Sequence, residues 1–255
     1  MYPNPIKEKI AAGKPILGTS LFTREPHVAA AIFSATPDWV WIDQEHHPWG
    51  TESIGTICVQ ARQAGVAGVI RVPWNDPGDI KKAYDVGAVG VMIPQVNTAE
   101  AARNAVKYSH YPPVGERGIA PFFASLAGID PNEIVLKAND ETLLILQMES
   151  LEAWENVDEI IAVEDFDVML VGPADLAASL GVPTQLHHPK VQSIMEELPR
   201  KLEGTGKIAG TTFAGFNDCI RWIDKGYLFM SIGSLLKYGV EVQRRHFETV
   251  RQTIG

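Results

Sequence analysis

Short apolar runs rich in valine and isoleucine alternate along the chain with longer stretches whose apolar residues recur at helical spacing. Eight of the short runs are apolar at consecutive positions, which marks strands covered on both faces, as in parallel sheets. They span 16–20 (ILGTS), 39–43 (WVWID), 68–72 (GVIRV), 89–94 (VGVMIP), 142–147 (TLLILQ), 167–172 (DVMLVG), 207–212 (KIAGTT) and 227–232 (YLFMSI). Helix-length stretches fall between them near 26–34, 52–64, 77–86, 98–109, 131–140, 151–161, 190–204 and 216–225, with a last one over 234–252. Repeated strand-then-helix units predict a parallel α/β fold. Eight of them predict a closed (β/α)₈ TIM barrel, forming one domain over 1–255. The rival, an open doubly wound sheet, needs a glycine-rich phosphate loop after its first strand. Here the chain reads GTSLFTREPH, with one glycine.

Two stretches stand outside this rhythm. Nearly fifty residues separate the fourth and fifth strands and include HYPPVGERGIAPFFASLAGIDP, whose prolines and glycines forbid one continuous helix. It is read as a long loop opening onto the C-terminal face of the barrel, where active sites of this fold sit. The final SLLKYGVEVQRRHFETVRQTIG either covers the barrel or packs on a second subunit.

Bulk properties narrow the function classes. The length of 255 residues suits one such barrel. With 31 acidic against 22 basic residues the formal charge is −9, which argues against a nucleic-acid surface. No stretch reaches the ~20 apolar residues of a membrane span, and MYPNPIKEKI lacks a signal-peptide core. Cys58 and Cys219 fit no metal spacing and read as small buried hydrophobes. These features predict a soluble protein of a reducing compartment, the cytoplasm.

Residues able to do chemistry gather where the predicted strands end. The second strand runs into Asp43, Glu45, His46 and His47; the third ends near Arg71; the fifth runs into Gln147 and Glu149; the sixth into Gly172, Pro173, Ala174 and Asp175. Glu149 and Asp175 are one βα unit apart, so they should face one mouth. A hard divalent ion such as Mg²⁺, Mn²⁺ or Co²⁺ would relieve their repulsion. Each also has a plain structural reading: Glu149 as an acid at a helix start, Asp175 as a helix N-cap. His46 is a candidate general base, and His47 competes with it. Arg71 either forms a rim salt bridge with Asp43 or stabilises negative charge on a carboxylate or enolate. Imine chemistry is disfavoured. Lys81, Lys82, Lys107, Lys137, Lys201 and Lys225 fall in helical stretches, and Lys207 begins a strand, at the wrong end of the barrel.

The segments WVWIDQEHHP, VIRVPWNDP, IKKAYDVGAVGVMIPQV, YPPVGERG, ILQMES and LVGPADLAASLG, in this order and spacing, resemble the metal-dependent 2-oxo-acid aldolases of the HpcH/HpaI family. The resemblance implies a divalent metal held by Glu149 and Asp175, with Gln147 beside it and Arg71 near the keto oxygen. It further implies His46 as base with Asp85 as its partner, and the substrate carboxylate against the backbone around Ala174. The implied reaction reversibly cleaves a 4-hydroxy-2-oxo acid into pyruvate and an aldehyde. The implied alternative is oxaloacetate decarboxylation or macrophomate-synthase-like bond formation from the same enolate. The resemblance also implies last helices exchanged between subunits, in dimers assembled into a hexamer. The chain departs from the family pattern at Gln44 and His47, and its loop carries Phe122 and Phe123, which lean towards a less polar acceptor.

Overall fold

A computed structural model of the chain describes residues 4–126, 128–213 and 215–254, without the side chains of Phe123, Ala124 and Phe213. The predicted strands form: β1 (Ile16–Ser20), β2 (Trp39–Asp43), β3 (Ala67–Arg71), β4 (Gly90–Ile93), β5 (Leu143–Met148), β6 (Val168–Val171), β7 (Ile208–Phe213) and β8 (Tyr227–Ile232). Each pairs in parallel with the next, and β8 pairs with β1, closing the barrel. The surrounding helices are α1 (Pro5–Ala11), α2 (Pro26–Phe33), α3 (Thr51–Gln63), α4 (Pro77–Asp85), α5 (Ala99–Ser109), α6 (Phe122–Ser125) and α7 (Pro131–Glu141). After β5 come α8 (Leu151–Glu155), α9 (Val157–Ile161), α10 (Pro173–Ser179), α11 (Pro189–Leu202), α12 (Phe216–Ile223) and α13 (Leu235–Ile254). The helix expected over 151–161 is therefore two short ones meeting at Asn156, whose side chain donates to Asn97 O. The short helices α1, α6 and α10 were not anticipated, being one to two turns long.

Strand side chains alternate between two cores, because successive residues of a strand point to opposite faces. Trp39, Trp41, Val69, Met92, Leu143, Ile145, Val168, Leu170 and Phe229 belong to the cluster that fills the barrel. Val40, Ile42, Ile70, Val91, Ile93, Leu144 and Leu146 belong to the cluster shared with the helices. Trp39 and Phe229 stack with ring centroids 4.2 Å apart. Gly18 of β1 makes room for them: a methyl group there would fall 2.3 Å from the Trp39 ring. Asp76 and Asp130 cap α4 and α7 by accepting from two backbone N–H groups each, and each is followed by a proline preset for the first turn.

The stretch HYPPVGERG lies elsewhere than expected. It follows α5 rather than β4, so it belongs to an αβ connection at the N-terminal end of the barrel. There Tyr111, Arg117, Ala120 and Pro121 share a small cavity with Arg62, Tyr84, Asp85, Ala88 and Thr142, residues at helix ends or just before strands. The stretch 98–109 forms the expected helix, and that helix carries the chain away from the mouth before HYPPVGERG begins. Phe122 is exposed and lines no part of the main cavity. The Phe123 side chain lies outside the described residues, so the argument from this pair for a less polar acceptor loses its footing. The last helix, α13, buries none of its residues, and Val240, Phe247, Val250 and Ile254 stand exposed. Among the described residues no helix is long and apolar enough to cross a membrane.

Candidate active site

On β2, β3 and β5 the inward face is apolar through the barrel and turns polar at the C-terminal end. Counting in twos from Trp39 and Trp41 leads to Asp43; from Ala67 and Val69 to Arg71; from Leu143 and Ile145 to Gln147 and then Glu149. The register places Asp43 directly beside Arg71. Arg71 grips Asp43 with both arms of its fork, Nε donating to Oδ1 at 2.9 Å and Nη2 to Oδ2 at 2.8 Å. Its remaining arm lies 2.9 Å from Glu45 Oε2, and its plane sits over the Trp41 ring. Burial works to raise the Asp43 pKa. The Arg71 hydrogen bonds and charge, the His47 contact and the Glu45 N–H outweigh it and hold the carboxyl below its ordinary range. Arg71 thus makes the rim salt bridge, and its guanidinium still lines the cavity.

The β5–β6 side carries the opposite balance. Glu149 is buried, accepts from Gln95 N at 2.8 Å and from Gln147 Nε2, and has no cation in contact. Gln95 adopts φ 51°, a left-handed conformation unusual for a non-glycine residue, to aim that N–H. Burial, with further repulsion from Asp175 and Glu45, pushes the Glu149 carboxyl up to about 7. Gln147 Oε1 is buried with no hydrogen-bond partner. A methyl group on Gly172 would fall 2.7 Å from Glu149 Oε2, so glycine there lets the carboxylate keep its place. Asp175 stands in the first turn of α10, whose N-cap is Gly172, while Ser150 caps α8. Neither acid is thus used as a helix cap. This donor set fits a hard divalent ion: two carboxylates and an orphaned amide oxygen, with a positive charge lacking. Among the described residues no three His, Cys, Asp or Glu side chains cluster for metal binding, so most of the shell would come from water or substrate.

A cavity of about 560 Å³ opens over these groups. Asp43, His46, His47, Arg71, Gln147, Gly172, Pro173, Ala174 and Asp175 all line it, and Glu149 sits behind Gly172. Asp85 does not join them. As the last residue of α4 it is at the opposite end of the barrel, in the small cavity beside Arg117, where burial pushes its carboxyl up to about 6. Within one chain it partners neither histidine, because a helix that starts at the mouth must run away from it. His46 is mostly exposed, with Nε2 3.8 Å from Glu45 Oε2. Gln44 does not line the cavity; its side chain donates to Trp49 O and braces the loop after β2.

A model of the HpcH/HpaI aldolase/citrate lyase family matches residues 20–240. The chain belongs to this family. It is 33% identical to a 4-hydroxy-2-oxo-heptane-1,7-dioate aldolase of Salmonella heidelberg, over 99% of the chain and 97% of that protein. Among solved structures it superposes on an HpcH/HpaI aldolase of Desulfitobacterium hafniense with a TM-score of 0.87, at 30% identity and 96% coverage of both chains. Macrophomate synthase superposes with a TM-score of 0.82 at 25% identity, covering 100% of this chain and 91% of the other. As an HpcH/HpaI member the chain is a carbon–carbon lyase of the aldolase type.

Several cavity residues escaped the sequence reading. Phe22 comes from the loop after β1, Trp222 from α12 and Lys237 from α13. Only Trp222 had a signal, its place in an amphipathic helix, and that signal reads as core. Lys237 is exposed. It lacks the desolvated setting of an imine-forming lysine.

Proposed function

We propose that this HpcH/HpaI member is a cytoplasmic, divalent-metal-dependent aldolase that reversibly cleaves a 4-hydroxy-2-oxo acid into pyruvate and an aldehyde. The observation that carries this reading is the uncompensated acid site: buried Glu149 with Asp175, and Gln147 Oε1 left without a donor. Glu149 and Asp175 would hold Mg²⁺, Mn²⁺ or Co²⁺. When bound, the ion supplies Lewis-acid polarisation of the 2-oxo group. The protein's own residues do the rest. Arg71, fixed by Asp43 and Glu45, presents a guanidinium to the negative charge that develops on the 2-oxo oxygen as the C3–C4 bond breaks. The backbone of Gly172, Pro173 and Ala174 forms the wall against which the substrate carboxylate lies. An imidazole at the mouth takes the 4-hydroxyl proton. By resemblance that imidazole is His46, and Asp85 can support it only from another chain. The exposed apolar residues of α13 fit the same conclusion, a homo-oligomer whose last helices pack on neighbouring subunits as dimers assembled into a hexamer. Light scattering should show one discrete oligomer; a monodisperse monomer at micromolar concentration would reject this assembly.

The test of the activity is pyruvate release, coupled to NADH oxidation, from a 4-hydroxy-2-oxo acid by chelator-stripped protein with and without Mn²⁺. Release that requires the metal supports the reading. A covalent pyruvate adduct trapped by borohydride overturns it. Similarity to macrophomate synthase motivates a second arm with oxaloacetate. Turnover of oxaloacetate above its spontaneous rate, with no aldol cleavage, would favour the alternative of decarboxylation and bond formation.

A further inference from the structure

On the aldolase reading, the pyruvate half of the substrate lies on the β2–β3 and β5–β6 sides of the cavity, against Arg71, Asp175 and the 172–174 backbone. The β7–β8 side is left for the aldehyde half. It presents Thr212 from β7, Asp218 from α12, and Ser234 and Lys237 at the start of α13. Two of these groups carry opposite charge, and neither is matched. Among the described residues, the Asp218 and Lys237 side chains make no hydrogen bond and no ion pair, with each other or with any other group. The position of Lys237 adds to its isolation. Ser234 Oγ accepts from Lys237 N at 3.1 Å, which sets the lysine in the first turn of α13, a helix of 20 residues with no acid in that turn. That end of a helix is positive and favours an acid, so the ammonium does nothing for the helix that carries it. Local preferences are broken in this way at functional sites. Asp218 is partly buried in the first turn of α12, one βα unit earlier, where its charge suits the helix but meets no basic side chain.

We propose that this side of the cavity takes the far end of the aldehyde fragment as a zwitterion, an α-amino acid group whose carboxylate meets Lys237 and whose ammonium meets Asp218. This rests on the aldolase reading above and names the class of aldehyde within it. The lysine offers donors and no acceptor, and the aspartate, when ionised, only accepts, so each suits its opposite number on an amino acid. They come from consecutive βα units and line the same cavity, as a group with both charges on one carbon requires. The other classes of aldehyde leave a charge unanswered. A plain carboxylate satisfies Lys237 but faces Asp218. A phosphate dianion is repelled by Asp218 more strongly. A neutral alkyl or sugar aldehyde displaces water from both charges and pairs with neither. Lys237 and Asp218 are thus specificity-determining residues, remote from the bond that breaks.

The experiment follows pyruvate consumption by Mn²⁺-loaded wild-type protein, Asp218→Asn and Lys237→Met. It compares two aldehydes that differ only in the amino group, L-2-amino-4-oxobutanoate and 4-oxobutanoate, with propanal, which carries neither charge. Wild type should favour the amino acid aldehyde over 4-oxobutanoate by about tenfold or more in kcat/KM, mostly through KM, the worth of one charge-assisted contact. Asp218→Asn should bring that ratio close to one. Lys237→Met should lower kcat/KM for both charged aldehydes relative to propanal by about tenfold. Equal use of the two charged aldehydes by wild type, or a ratio untouched by Asp218→Asn, overturns the proposal. If no pyruvate is consumed with any of the three aldehydes, the aldolase reading fails, and calorimetry with L-2-aminobutanoate, which has no aldehyde, decides the subsite by itself. Binding by wild type that is lost in both variants supports the zwitterion subsite; no binding by wild type overturns it.

Discussion

The two sides of the barrel mouth are built from the same parts and reach opposite charge states. On the β2–β3 side, buried Asp43 faces a guanidinium and stays ionised below its ordinary range. On the β5–β6 side, buried Glu149 faces an amide, a backbone N–H and a second acid, and its carboxyl rises to about 7. Burial works to raise both acids. The difference lies in what is beside them: β3 supplies an arginine to Asp43, whereas β5 and β6 supply no basic side chain to Glu149. A site with its own cation is already balanced, and the site lacking one is where we propose that a cation binds.

Breaking the deficient side should have the largest effect. Glu149→Gln removes the charge that attracts the ion, and kcat/KM should fall on the order of 10³-fold or more, the several kcal/mol expected of Lewis-acid help. Calorimetry should show Mn²⁺ binding lost in parallel; a variant that binds Mn²⁺ normally would refute the assignment. Breaking the balanced side should be felt as stability. Arg71→Met leaves buried Asp43 without its guanidinium, with only His47 and backbone N–H groups beside it, and should cost about 3–5 kcal/mol in urea unfolding. An Arg71→Met, Asp43→Asn double variant should recover part of that loss.

The contrast also sharpens with pH. Because the folded-state pKa of Glu149 lies above its unfolded value, its protonated form favours the fold. That contribution is complete below about pH 4.5 and is lost as pH rises to about 7, at most about 3 kcal/mol. For Asp43 the sign reverses: its stabilisation is present above the ordinary carboxylate range and is lost as acid protonates it. Metal-free wild type compared with Glu149→Gln between pH 5 and 8 should therefore diverge, the wild type losing stability relative to the variant as pH rises. Parallel curves would show that Glu149 is not held as described. The smallest effect is expected from Gly172→Ala. The added methyl pushes the Glu149 carboxylate aside and should weaken Mn²⁺ binding about 10- to 100-fold while leaving the fold intact.

Much of this architecture is legible in the residues. The eight buried strands read correctly because strands covered on both faces leave continuous apolar runs, and β1, β2 and β8 match their expected bounds. The polar residues at their ends read as a site for the same reason: Asp43, Arg71, Gln147 and Glu149 interrupt an inward apolar series. Pairwise geometry was not legible. Sequence allowed Asp175 as a helix cap, whereas Gly172 takes that place. The resemblance pairs Asp85 with His46, but no periodicity tells that within one chain α4 carries Asp85 to the far end. Sequence assigned HYPPVGERG to the mouth, although α5 comes first and turns the chain around. It also left His46 and His47 undistinguished, since neighbouring residues in a loop differ only in what the rest of the fold sets against them.

The sequence by itself determined the barrel, the end of it that is reactive, and the chemical kinds of group gathered there, because these follow from local periodicity and strand order. Only the tertiary structure decided which acid has a cation, which amide oxygen is orphaned and which imidazole is oriented. Those properties come from contacts between residues 43 and 71, 95 and 149, or 43 and 47. They arise when the sheet closes and burial removes the water that would otherwise make such groups equivalent.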